Sequence, residues 1–282
     1  MNVTTPHHWT KRFPTPASCQ AAAAHHHWLT ELGTPVPQLH TTTARHLVFD
    51  YVTGRHAEPH DLPHLAELLG RLHNRAYTTE LHSARLDRPH TTPNGLTIPD
   101  FVTTRTRAIN HLLSQGTAPL PPLTTTQTIR AIEAAAGDQP SFYKDCNPRN
   151  FLIAHETPTG CVLLDFDVLT LAPAGYDLAK LIVTLTMTHG PLPTSTAQAA
   201  LTTYNTSLTA KTTDLRPVLW NTLMTWADIH HILTSPYLGR NGYRHLWSGT
   251  TTPEPEQLSP FHPSGLVMEG EDGLHDGGAA AG

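Results

Sequence analysis

Four oxygen-bearing side chains crowd one stretch of the 282-residue chain. In SFYKDCNPRNFLI, Asp145 is followed five positions later by Asn150, which opens the apolar run FLI. Fifteen residues further, the apolar run CVLL delivers Asp165, with Asp167 close behind in Asp-Phe-Asp. Two strands flanking a turn bring the ends of both runs together, so that Asp145, Asn150, Asp165 and Asp167 converge on one site. Such a gathering is costly unless a cation neutralises it. Mg²⁺ suits the donors, because it prefers oxygen and usually takes one or two carboxylates beside the phosphate oxygens of a substrate.

Composition narrows the partners. Lys and Arg number 18 against 23 Asp and Glu, a formal charge of −5, with only 15% of residues charged. That is too little positive charge for a protein that tracks nucleic-acid phosphates. No apolar run is long enough to cross a bilayer, and the opening MNVTTPHHWTKRF is too polar for a signal peptide. Three cysteines, Cys19, Cys146 and Cys161, form no Cys-x-x-Cys and fit a reducing cytoplasm. The 21 histidines include the consecutive groups His7-His8, His25 to His27 and His230-His231. Neighbours on a helix point about 100° apart and cannot close on one ion. Solvated histidine is therefore the expectation.

The elements that must position the acidic cluster are readable in outline. HWTKRF (8–13) has the look of a short strand, SCQAAAAHHHWLTEL of a helix closed by Gly33, and QLHTTT and HLVFDYVTG of two further strands. From Asp61, leucines at 62, 65, 68, 69 and 72 keep helical spacing behind a capping Asp. DFVTTRTRAINHLLSQG and TTTQTIRAIEAAAG predict two more helices, and apolar runs at 182–187, 197–209 and 217–233 three others, with Trp220, Leu223, Met224, Ala227 and Ile232 as core positions. Pro, Gly and acids dominate from about Thr250 to Gly282, which predicts a disordered tail.

Taken together, Y-K-D-C-N-P-R-N, L-L-D-F-D and G-Y-D-L-A resemble, in order and spacing, the motifs of the aminoglycoside phosphotransferase and choline kinase-like family, relatives of the protein kinases. The resemblance implies an α+β, protein-kinase-like two-lobe fold: a truncated, small β-rich N-lobe at 1–58, a larger, mainly helical C-lobe at 59–249 holding the catalytic and metal motifs, and the tail at 250–282. It implies that Asp145 is the catalytic base, that Asn150 and Asp165 are Mg²⁺ ligands, with Asp167 a second metal contact, and that Asp177 braces the catalytic loop. Lys11 is similar to the lysine that steadies the α/β-phosphates, and Phe49, Asp50 and Tyr51 lie where the adenine bonds backbone groups at the interlobe hinge.

Three features depart from the family pattern. The helix after Lys11 offers only Gln20 and histidines where a partner Glu belongs. No Gly-rich hairpin precedes Lys11. The usual His-Gly before the base is Tyr143-Lys144, and Lys144 either contacts the transferring phosphate or points to solvent. Arg149 is either a phosphate contact or a loop brace, and Asp228, His230 and His231 are either acceptor-site residues or a solvated helix face. The implied activity is Mg²⁺-dependent transfer from ATP or GTP to a hydroxyl of a small molecule such as an antibiotic or other natural product. A kinase of Ser/Thr in a peptide precursor and a nucleotide-binding pseudokinase acting as a partner protein are the alternatives. No nucleic-acid or membrane partner is expected, and oligomeric state is open.

Overall fold

The computed structural model describes residues 8–115, 123–154 and 157–247; the expected disordered tail lies outside the described residues. Three antiparallel strands, β1 (His8–Arg12), β2 (Leu39–Thr42) and β3 (His46–Asp50), form a sheet with β3 in the centre. Alternation along β3 turns Leu47 and Phe49 fully inward, the period-two signature of a half-buried sheet. Between β1 and β2 runs α1 (Pro16–Glu31). Its first turn is fixed by Thr15 and Ser18 in a reciprocal capping box with Pro16 at the first helical position, and Gly33 at φ 71° ends it.

A short strand β4 (Arg55–His56) leads into α2 (Leu62–Thr79), whose Leu62, Leu65, Leu69, Leu72 and Ala76 bury one stripe. A small hairpin of β5 (His90–Thr91) and β6 (Thr97–Ile98) precedes α3 (Phe101–Ser114) and α4 (Thr125–Ala134). Four strands follow: β7 (Pro140–Tyr143), β8 (Phe151–Ile153), β9 (Cys161–Leu163) and β10 (Thr170–Pro173). β7 pairs with β10, and β8 pairs with both β4 and β9, all antiparallel. The chain then forms α5 (Tyr176–His189), α6 (Thr194–Leu208) and α7 (Trp220–Thr234).

The helices fall where the apolar spacing predicts. On α7, Leu223, Ala227 and Ile232 are buried, whereas Trp220 and Met224 pack half-buried at the edge of the core. β7 and β10, and the short β4, β5 and β6, have no counterpart in the sequence reading. They span two to four residues each, too few for alternation to register.

Helix α5 is buried on nearly every side and contacts α2, α7 and the β7–β10 pair. The packing of α2 on α6 brings backbones close at Gly70, where an added Cβ would press on the Tyr204 carbonyl and lie 2.8 Å from Ser207 Cβ. Backbone cannot swing aside as a side chain can. Gly70→Ala should therefore destabilise the fold by about 1–3 kcal/mol, read as a fall of several degrees in the thermal unfolding midpoint; an unchanged midpoint would show that the two helices are not in such close contact.

Candidate active site

The β8–β9 pairing sets Phe151 opposite Leu163, so the residues that flank the pair, Asn150 and Leu164, also meet: Leu164 N donates to Asn150 O at 2.8 Å. Asn150 Nδ2 donates to the Asp145 carbonyl at 2.8 Å, leaving the amide oxygen for a cation. Asp145, Asn150 and Asp165 are thus held at one edge. Asp145 (φ 59°) and Asp165 (φ 65°) both adopt the left-handed backbone region, uncommon for a residue with a side chain and concentrated at functional turns.

Lys11 reaches across from β1. Its Nζ donates to Asp165 Oδ1 at 2.7 Å and to Asp167 Oδ1 at 2.6 Å. Burial alone would raise the Asp165 pKa, but the Lys11 hydrogen bond and charge outweigh it and hold that carboxyl below its usual range. Asp167 moves the other way, raised by burial and by the charge of Asp165 despite Lys11. Lys11 therefore has acidic partners although α1 places no Glu beside it, its Glu31 carboxylate accepting from Asn94 instead. From α1, His25 Nδ1 instead donates to the Phe166 carbonyl at 2.8 Å, tying the helix to the segment between the two aspartates.

Asp145 is equally well held. Asp145 Oδ1 lies 2.9 Å from Lys180 Nζ on α5 and accepts from the Tyr143 hydroxyl at 2.9 Å. Burial pushes its pKa up, but Lys180, the Tyr143 hydroxyl and Lys144 together bring it below the ordinary carboxylate value. Asp177, fully buried at the start of α5, accepts from the Lys144 backbone amide at 3.3 Å, the geometry of a loop brace.

Lys144 does not point to solvent: it is buried, its Nζ donates to the Leu164 carbonyl, and burial lowers its pKa. It ties the Asp145 loop to the Asp165 segment. Phe49 is a core side chain stacked with Trp9 and against Phe166, Asp50 spends its amide on Gln38 O and its carboxylate on His40, and Tyr51 is exposed. Of the three α7 residues only His230 lines the cleft beside Asp145. Asp228 accepts from Trp247 Nε1 at 2.9 Å, and His231 is buried. Most of the described histidines are exposed, as expected, but five are buried. His25, His26, His73, His230 and His231 are buried, because a neutral imidazole that bonds a neighbour through one ring nitrogen, as His230 Nε2 does to Tyr176 O at 3.0 Å, can enter a core. Among the described residues, the one His-containing cluster of metal-ligand reach is His8, His40 and Asp50, drawn from three strands.

Arg149 is exposed, its guanidinium over the Tyr243 ring at 4.9 Å. Three residues of the cleft escaped the sequence reading: Lys180, Tyr143 as a partner of Asp145, and Arg105 from α3. Two carried a signal. Arg105 falls on the same stripe as Phe101 and Ile109, all three buried, and Lys180 is the one cation in the apolar run DLAKLIVTL.

The sequence profile of the phosphotransferase enzyme family, APH, matches residues 4–211. The chain belongs to this family. No curated protein matches the sequence, but solved structures share the fold. An aminoglycoside phosphotransferase from Streptomyces rimosus, in complex with ADP and streptomycin, aligns with a TM-score of 0.54 at 15% identity over 80% of this chain and 86% of its own. The choline kinase LicA from Streptococcus pneumoniae gives 0.53 at 15% identity over 82% and 76%, and an ethanolamine kinase from Plasmodium vivax 0.52 at 10% identity over 82% and 69%. The phosphotransferase thus has the protein-kinase-like, α+β arrangement, a small sheet lobe and a larger helical lobe. No described helix is long and apolar enough to cross a membrane.

The donors suit a hard cation: carboxylates at Asp165 and Asp167 share one ammonium, two negative charges against one positive. Lys11 competes for the same oxygens. Lys11→Met should therefore bind Mn²⁺ or Mg²⁺ more tightly than the parent chain in the absence of nucleotide, as read by calorimetric titration. Weaker metal binding in the variant would place the metal ligands elsewhere.

Proposed function

We propose that the chain moves the terminal phosphate of ATP or GTP to a hydroxyl of a small molecule. The observation that carries this reading is the convergence of Asp145, Asn150 and Asp165 at one strand edge, with Lys11 spanning from the sheet lobe to Asp165 and Asp167. A small-molecule acceptor is supported by the streptomycin bound to one fold neighbour and the choline named for another.

In this mechanism Asp145, fixed by Lys180 and Tyr143, accepts the hydrogen bond of the acceptor hydroxyl, aligns its oxygen in line with the terminal phosphate and takes its proton. Asn150, Asp165 and Asp167 are the residues that would hold Mg²⁺, which supplies neutralisation of phosphate charge. Lys11 exchanges carboxylates for phosphate oxygens when nucleotide enters. Lys180, 2.9 Å from the base, keeps Asp145 ionised and adds positive charge where the phosphoryl group crosses.

The division of labour is testable by pairing variants. Asp165→Ala should lose Mg²⁺-dependent nucleotide binding together with turnover, whereas Asp145→Ala should keep MgATP affinity and lose transfer by a factor on the order of 10² or more. Equal nucleotide affinities for the two variants would sink this assignment.

A pH profile probes the Lys180 contact. With its pKa depressed, Asp145 is ionised throughout the neutral range, and activity falls only when acid protonates it below the ordinary carboxylate range. In Lys180→Met the opposing effect of burial dominates, so the acidic limb of kcat/KM should move to higher pH. A limb that stays in place would show that another group sets it.

A further inference from the structure

The cleft beside Asp145, about 310 Å³ in volume, is lined by Arg105, Arg149 and Lys180 against the single carboxylate of Asp145. Lys180 is committed to that carboxylate at 2.9 Å. His230 contributes no charge: burial, and then the charges of Lys180 and Arg105, push its pKa well below the usual value, so the ring is neutral. Two guanidiniums are left over. Arg105 is only 8% exposed, yet it pairs with no carboxylate among the described residues; its Nη2 donates to the Thr170 hydroxyl at 3.1 Å, its Nε meets no hydrogen-bond acceptor, and its guanidinium lies over the Tyr143 ring at 4.3 Å and the Tyr176 ring at 5.2 Å. Arg149 likewise has a ring, that of Tyr243, and no acidic partner among the described residues.

Aromatic faces attract a guanidinium but leave its charge uncompensated, and a buried cation without an anion is unfavourable. The missing charge has to come from what enters the cleft. Like charges across a half-enclosed, low-dielectric wall repel, so a polycationic acceptor is disfavoured there. The Tyr143 ring sets the scale. Its hydroxyl touches Asp145 Oδ1 at 2.9 Å and its face carries the Arg105 guanidinium, so base and cation stand about one aromatic ring apart.

We propose that the acceptor carries an anionic group, a carboxylate or a phosphate, placed about one ring's length from its reacting hydroxyl. The hydroxyl faces Asp145, and the anion is gripped by Arg105 with Arg149 at the mouth, using the planar fork that matches such oxygens. This rests on the phosphotransfer reading only for the role of the hydroxyl; the charge preference belongs to the cleft itself.

Four probes of one shape but different charge test it on the full chain: para-hydroxymethyl benzoate, the matching arylphosphonate, the benzamide, and para-aminomethyl benzyl alcohol, with binding followed by NMR titration. The benzoate or the phosphonate should bind about tenfold or more tighter than the amide, the ammonium compound should bind most weakly, and the two anions compared tell which group the fork prefers. Arg105→Gln and the exposed Arg149→Gln should each shrink the anion-to-amide ratio while leaving amide binding unchanged. The unfolding midpoint of Arg105→Gln separates lost recognition from lost fold, and Arg149→Gln, whose side chain is exposed, does not depend on that control. Equal affinities for all probes, tightest binding of the ammonium compound, or a ratio that survives both substitutions would overturn the proposal. Anion preference without any MgATP binding would instead overturn the phosphotransfer reading and leave this one standing.

Discussion

A carboxylate withdrawn from water needs a positive charge or several donors within reach, and that requirement organises the centre of this molecule. Asp145, Asp165, Asp167 and Asp177 lie on three successive loops and helix starts, and three lysines are distributed among them. Lys180 meets Asp145, Lys11 meets Asp165 and Asp167, and Lys144 is buried between the loops with its ammonium on the Leu164 carbonyl. Asp177 has a backbone amide of the Asp145 loop. Each lysine comes from a different element: β1, the end of β7 and α5. The electrostatics of the site therefore also tie the sheet lobe and the helical lobe together.

This distribution explains what could be read from the chain and what could not. Asp145, Asn150 and Asp165 are spaced by the strands β8 and β9 and the turn between them, so their convergence is written in a segment of 21 residues. The Lys180–Asp145 pair spans 35 residues, and Lys11–Asp165 spans 154, and linear spacing says nothing about such partners. Lys144 illustrates the limit sharply. Beside Asp145 it suggests a phosphate contact, whereas the antiparallel pairing of β8 with β9 brings the Leu164 carbonyl within reach of its ammonium. Helices were legible because leucine spacing persists along α2 and apolar runs mark α5–α7; the two- to four-residue strands offered no comparable pattern.

The histidines carry a related lesson. Composition suggests solvated side chains, but neutral imidazole has one donor, one acceptor and an apolar ring edge. His26 packs against Phe49 and Phe166 while its Nε2 bonds the Pro37 carbonyl, and His73 sits edge-on to Phe142 with Nδ1 on the Tyr204 hydroxyl. Burial lowers the pKa of His25 and of His26, which keeps both uncharged at neutral pH and compatible with the core they help to fill.

That α1 turns no Glu toward Lys11 then takes on a different meaning. A Glu opposite Lys11 would add a third carboxylate to a place where Asp165 and Asp167 already share one ammonium, and like charges so close raise one another's pKa. With His25 in that helix, α1 still contacts the acidic segment, through the Phe166 carbonyl, but brings no charge. Lys11 is left to the aspartates alone. Beside the acidic pair α1 thus contributes a neutral contact and β1 the ionic one, so the ammonium of Lys11 occupies carboxylate oxygens of both Asp165 and Asp167.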